Sequence, residues 1–213
     1  MSFRFLEALA GSSLYPLTDR TLSGLSHADQ VLQLSQGGAT VVQLREKDLS
    51  PAEFCAQAEE ALRVARERGM KIIVNDRVDI ALALKADGVH LGQDDLPPEA
   101  ARRLLGSDAI IGFSTHSPKQ AEAATQMPID YIAIGPIFAT ASKLRANFPV
   151  GLEGLRLARQ VVGTFPLVAI GGITSENSVS VMNAGADVVA VISDIWRLSE
   201  QAPSQVKRFL TPK

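Results

Sequence analysis

The 213-residue sequence holds one cysteine, three histidines and no surplus of charge, with 21 basic side chains against 23 acidic ones and a net charge of −2. A single thiol, Cys55, has no partner for an internal disulfide, so a reducing cytoplasm is the simplest compartment. So few cysteines and histidines do not make a zinc centre. The balanced charge gives no electrostatic footprint for nucleic acid or a membrane surface. Long apolar runs are missing as well. The longest charge-free stretch lies between Arg159 and Glu176 and is broken by Pro166, Gly171 and Gly172. It is too short to cross a bilayer, which needs about 20 apolar residues. Residues 1–10 carry Arg4 and Glu7 and have no apolar signal core. With 46% apolar and 21% charged residues and no low-complexity segment, the composition excludes a disordered or fibrous chain.

What is present is an alternation. Short apolar, β-branched runs at 14–18, 40–44, 71–75, 88–91, 109–113, 131–134, 167–170 and 188–192 are predicted strands. They are apolar at nearly every position, as suits parallel strands covered on both faces. Helical patterns fall between and after them, at 28–36, 51–68, 78–84, 98–105, 118–125, 152–162, 175–183 and 196–210. Pro51, Pro98 and Pro118 stand where a first helical turn tolerates proline, with Ser50 and Ser117 before two of them as N-caps. Gly37 and Gly69 are read as glycines closing helices. Eight strand-then-helix units without a linker predict one domain over 1–213, a closed (β/α)8 TIM barrel with eight parallel strands, near the small end for that fold. A doubly wound open sheet is the second reading.

In such a barrel the chemistry sits on loops after the strands, and polar residues collect there. Gln43, Arg45 and Lys47 share one face of a strand end by the period of two. Two cations and an amide suit an anionic, oxygen-rich ligand; the plainer reading is a solvated strand end with Glu46 pairing a neighbour. Asp76 and Asp95 follow adjacent strands, and two carboxylates there can hold one Mg2+ completed by water and phosphate oxygens. Alternatively Asp76 pairs Arg77 or caps a helix, and Asp95 caps the helix after Leu96; spacing does not decide between Asp94 and Asp95 as ligand. Gly171-Gly172, with Ile192-Ser193 one unit later, matches the phosphate site that barrels form after strands seven and eight. Thr140, Ser142 and Lys143 lie in the longest loop, where two hydroxyls and an ammonium can close over a phosphate, unless this is a plain surface loop. Ser114 is read as a hydrogen-bonding ligand contact rather than a nucleophile, because no neighbouring histidine has the motif context of a triad, with a His116-assisted nucleophile as the open alternative. His90 is read as a satisfied core histidine, and His27 and Cys55 as structural.

These residues also carry a resemblance. The stretches 15–20 (YPLTDR), 42–47 (VQLREK), 73–78 (IVNDRV), 87–96 (DGVHLGQDDL), 111–116 (IGFSTH), 135–138 (GPIF), 140–143 (TASK), 168–174 (VAIGGIT) and 185–193 (GADVVAVIS) resemble, in order and over nearly the whole chain, the thiamine-phosphate synthase (thiamine-phosphate pyrophosphorylase) family. The resemblance implies a TIM barrel that joins hydroxymethylpyrimidine diphosphate to a thiazole monophosphate, releasing pyrophosphate. It implies that Gln43, Arg45, Lys47 and Asn75 hold the pyrimidine diphosphate, with Ser114 on the pyrimidine and Lys143 on the diphosphate. Asp76 and Asp95 would bind Mg2+, and Thr140, Ser142, Gly172, Ile192 and Ser193 the thiazole phosphate. Ala139, Ala141 and 144–147 depart from the family's usual loop. The partners implied are these two small molecules, with neither nucleic acid nor membrane. Two alternatives are a thiazole tautomerase on the same barrel and a non-catalytic barrel that binds a thiamine precursor.

Overall fold

The computed structural model describes residues 4–139 and 148–210. The strands are β1 Leu14–Pro16, β2 Val41–Leu44, β3 Lys71–Asn75, β4 Gly88–Leu91, β5 Ile110–Thr115, β6 Tyr131–Ile134, β7 Leu167–Ile170 and β8 Val188–Val191. Each from β2 to β7 pairs in parallel with its successor, and β1 pairs with β8, Leu14 opposite Val189. A bridge between Leu17 and Gln43, with the Thr18 N–H donating to the Gln43 carbonyl at 2.9 Å, joins β1 to β2 and closes the ring. That closure decides for the barrel, because an open sheet would leave two edges unpaired.

The period of two divides each strand between two cores. Tyr15, Val41, Ile73, Ile110, Tyr131, Val168 and Val188 point inward and pack together inside the barrel. Leu14, Val42, Ile72, Val89, Ile111, Ile132, Leu167 and Val189 point outward beneath the helices. Burial on both faces removes any alternation of polar and apolar residues, so the runs read as continuously apolar.

The helices are α1 Arg4–Ala8, α2 Arg20–Ser23, α3 His27–Gly37, α4 Pro51–Glu67, α5 Val78–Leu84, α6 Pro98–Leu105, α7 Pro118–Ala124, α8 Gly151–Val162, α9 Ser178–Asn183, α10 Ser193–Trp196 and α11 Ala202–Leu210. Ser50 and Glu53 form a capping box on α4, and Ser117 caps α7 by accepting from Gln120 N–H. The expected caps therefore stand, with one shift. Gly37 lies inside α3, and the closing glycine is Gly38 at φ +97°. A Cβ on Gly37 would lie 2.5 Å from the Val206 Cβ, so this glycine serves the approach of α11. The helix expected at 175–183 begins only at Ser178, because Thr174 and Asn177 exchange side-chain-to-backbone hydrogen bonds in a turn of their own. The helix expected at 196–210 is interrupted by a short 3-10 turn, Ser199–Gln201. α1 was not expected at all. Its Phe5 ring stacks on Tyr131 with centroids 3.9 Å apart and plugs the mouth where the strands begin.

A clamp recurs at that same end. Asp87, Asp130 and Asp187 each precede a strand and accept the N–H of the neighbouring strand's first residues, Ile72, Ile111 and Leu167, at 2.8–2.9 Å. Each also meets a cation, Lys71, Arg102 or Arg159. Asp130 is the most buried of the three pairs, its side chain 4% exposed. Removing its carboxylate strands both the Arg102 guanidinium and the Ile111 N–H, so Asp130→Ala should cost about 3 kcal/mol. A denaturant midpoint equal to that of the unaltered protein would reject the clamp.

Candidate active site

A pocket opens at the other mouth, where the strands end. Its walls include Gln43, Arg45, Asn75, Ser114, Gly172, Ile192 and Ser193. Seven of the sequence-predicted residues thus come together from five strands or the loops that follow them.

The turn after β2 is folded around Glu46. Its carboxylate is buried, with Oε1 accepting the N–H groups of Lys47 and Asp48 at 2.8 Å and of Leu49 at 3.3 Å. Oε2 meets His27 Nε2 at 3.3 Å and Arg20 Nη1 at 3.4 Å. Burial raises the Glu46 carboxyl, but the three backbone donors and His27 outweigh it and hold it below the usual range. Burial likewise holds the His27 imidazole below its ordinary value, against the pull of Glu46. Neither residue lines the pocket; His27 is structural, as expected, and acts through the turn. The Arg45 N–H donates to Thr18 Oγ1 at 3.0 Å, and its guanidinium donates to Asp19 Oδ2 at 3.0 Å. This scaffold aims Arg45 at the pocket.

Asp76 follows β3 in the left-handed region, at φ +63°. Its carboxylate pairs with the Lys47 ammonium. Arg77 pairs with Asp79 instead, so the expected alternative of an Asp76–Arg77 pair does not form. Asp95 accepts the Gly92 N–H at 2.6 Å and does not cap α6, whose N-cap is Pro97. Burial, and then the facing Asp76 carboxylate, push the Asp95 carboxyl up. Asp94 is exposed. Two carboxylates crowded together beside a strand end are a donor set for a hard cation. Among the described residues no group of three or more His, Cys, Asp or Glu could hold a metal, so substrate oxygens and water would complete the shell.

Gly171 and Gly172 turn the chain after β7 at φ +103° and +66°. A Cβ on Gly172 would lie 2.7 Å from the Phe138 Cβ and 2.8 Å from the Ala139 carbonyl oxygen. The glycine thus permits close approach of the segment after β6. Thr140, Ser142 and Lys143 lie outside the described residues.

Sequence reasoning missed a buried polar chain across the barrel. Gln43 Nε2 donates to the Tyr15 hydroxyl at 3.1 Å, and the Tyr15 and Tyr131 hydroxyls are 3.0 Å apart. His90 Nδ1 lies 2.9 Å from the Tyr131 hydroxyl and His90 Nε2 lies 2.8 Å from Ser114 Oγ. His90 is satisfied, as expected, but it also lines the pocket, as does His116, whose Nδ1 is 2.7 Å from the Gly135 carbonyl oxygen. The available signal was parity: His90 sits opposite Asn75 in the register of β3 and β4 and shares its inward face.

A family model described as thiamine monophosphate synthase matches residues 14–195. The chain belongs to that family. The matched span holds every site residue from Gln43 to Ser193. A thiamine-phosphate synthase of Chloroflexus aurantiacus is 49% identical over 183 residues, covering 85% of this chain and 84% of that one. One from Clostridium novyi is 45% identical over 185 residues, covering 86% and 90%. The solved structure of a thiamine phosphate pyrophosphorylase from Pyrococcus furiosus superimposes with a TM-score of 0.84 at 34% identity, covering 95% of each chain. Such transferases of thiamine biosynthesis act on small molecules, which suits a pocket at a barrel mouth. Among the described residues no helix is long and apolar enough to cross a membrane.

Proposed function

We propose that this member of the family is the synthase itself, a single-domain cytoplasmic enzyme. It condenses hydroxymethylpyrimidine diphosphate with 4-methyl-5-(2-phosphoethyl)thiazole to thiamine monophosphate and pyrophosphate. The observation that carries the reading is the meeting of Asp76 and Asp95 beside Lys47, next to a pocket that Arg45 enters. A tautomerase needs a proton-transferring group and no such charged corner.

Asp76 and Asp95 would hold Mg2+. When bound, that ion neutralises charge on the diphosphate. Gln43 and Asn75 orient the pyrimidine diphosphate, and Ser114 contacts its ring. Arg45, Lys47 and Lys143 counter the negative charge that grows on the leaving pyrophosphate as its C–O bond breaks. The aminopyrimidine stabilises the positive methylene carbon left behind. The thiazole nitrogen, its phosphate held by Thr140, Ser142, Gly172, Ile192 and Ser193, then attacks that carbon. This nitrogen carries no proton, so no general base is required, and positioning with charge stabilisation supplies the rate.

Mixing both substrates with Mg2+ should release one pyrophosphate for each thiamine phosphate formed. Isomerisation of a thiazole without pyrophosphate would favour the tautomerase, and binding without turnover the non-catalytic barrel. Gly172→Val should weaken the thiazole phosphate at least about tenfold, because the new side chain strikes the Phe138–Ala139 backbone and disorders that wall. The pyrimidine diphosphate should change much less. Equal losses in calorimetric titration would reject a phosphate site at this glycine.

A further inference from the structure

The barrel interior contains polar atoms that the reaction above does not use. Tyr15 and Tyr131 are 1% and 0% exposed, yet their hydroxyls lie in an otherwise apolar cluster. Burial raises both phenols far above their ordinary value, so both remain O–H groups. The fold gives up a side chain to bring them there. A Cβ on Gly112 would lie 2.0 Å from the Tyr131 Cζ, so only glycine on β5 lets this ring cross to His90.

The donors and acceptors can be followed in order. The Gln43 amide nitrogen only donates, so Tyr15 accepts from it, and giving its own hydrogen to Tyr131 is the arrangement that leaves that buried hydrogen with an acceptor. Tyr131, accepting there, gives its hydrogen to His90 Nδ1. In the neutral tautomer that accepts at Nδ1, the imidazole carries its hydrogen on Nε2 and donates to Ser114 Oγ. The ends are fixed as a consequence. Gln43, with an amide N–H turned to the Tyr15 hydroxyl, keeps Oε1 as its acceptor. Ser114, accepting from His90, keeps its hydroxyl hydrogen to donate. Both residues line the pocket.

We propose that Tyr15, Tyr131 and His90 form a directional hydrogen-bond relay that sets Gln43 as acceptor and Ser114 as donor toward the ligand ring. They are positioning residues, and the inference rests on the proposed function for the identity of that ring. An aminopyrimidine edge offers an N–H donor and a ring-nitrogen acceptor, which this pair complements. The oxo analogue offers a carbonyl and a ring N–H, the reverse order. To receive it, both ends must invert, and in the intact relay that means turning every hydrogen bond between them. A break in the middle lets each end turn alone.

The test measures binding of the aminopyrimidine diphosphate and its 4-oxo analogue by calorimetry, so that turnover is not needed. The unaltered protein should prefer the amino form by at least about 10²-fold. Tyr131→Phe keeps the ring and loses one link, and it should lower that preference about tenfold. His90→Leu should do the same, and His90→Gln, whose amide can still donate to Ser114, should recover part of it. Affinity for the thiazole phosphate should not move, and each variant's thermal unfolding shows whether it has folded. Folded Tyr131→Phe and His90→Leu proteins that keep the full preference would overturn the relay alone. An unaltered protein that binds neither pyrimidine would overturn the proposed function beneath it.

Discussion

Asp95→Ala is expected to lower kcat/KM by about 10³-fold, equivalent to roughly 4 kcal/mol of transition-state stabilisation. Asp76→Ala should lose a similar factor. These carboxylates converge beside the Lys47 ammonium, which already pairs with Asp76. In the proposed Mg2+ site, removing one carboxylate would leave a single anionic ligand for the cation. Chelation of Mg2+ by EDTA should abolish turnover of the unaltered protein, and added Mg2+ should restore it. Asp94→Ala provides the control, because its exposed side chain should contribute little. Steady-state rates with a Mg2+ titration check all three variants. Full activity in excess EDTA, or a crippled Asp94→Ala beside a mild Asp95→Ala, would reject the assignment.

Arg45→Ala should cost about 10²- to 10³-fold in rate, the loss typical of a group that meets charge as it develops. The interaction strengthens as pyrophosphate departs, so kcat should fall more than KM rises. Arg45→Lys should recover only a small part, because a point charge cannot reproduce the planar fork that Asp19 orients at 3.0 Å. Asp19→Asn keeps the arginine and its fork while removing the ionic partner, so its loss should be smaller. A rate for Arg45→Ala within a factor of about three of the unaltered enzyme would remove Arg45 from the reaction.

The sequence by itself determined the eight strands, because a parallel strand buried on both faces is written as an unbroken apolar run. β3, β4, β6 and β7 have the expected bounds, and the other four strands differ from them by one or two residues at one or both ends. Sequence also indicated the end of the barrel where the pocket opens, since Gln43, Arg45, Asn75 and Ser114 all close or follow strands and line it. It identified Ser50 and Ser117 as caps, because a cap is a local interaction spanning three residues.

Only the tertiary structure decided contacts between residues far apart in the chain. That Asp95 rather than Asp94 faces Asp76 across two strand ends is such a contact, and adjacent positions in one loop carry no such information. The plug by Phe5 was invisible because α1 is five residues long and its meaning lies in Tyr131, on another strand. The same holds for the Gln43–Tyr15–Tyr131–His90–Ser114 chain. Its members come from five strands, and each reads locally as an aromatic or polar residue in a core run. Hydrogen bonding to one another is what makes their burial affordable, and that pairing exists only once the barrel has closed.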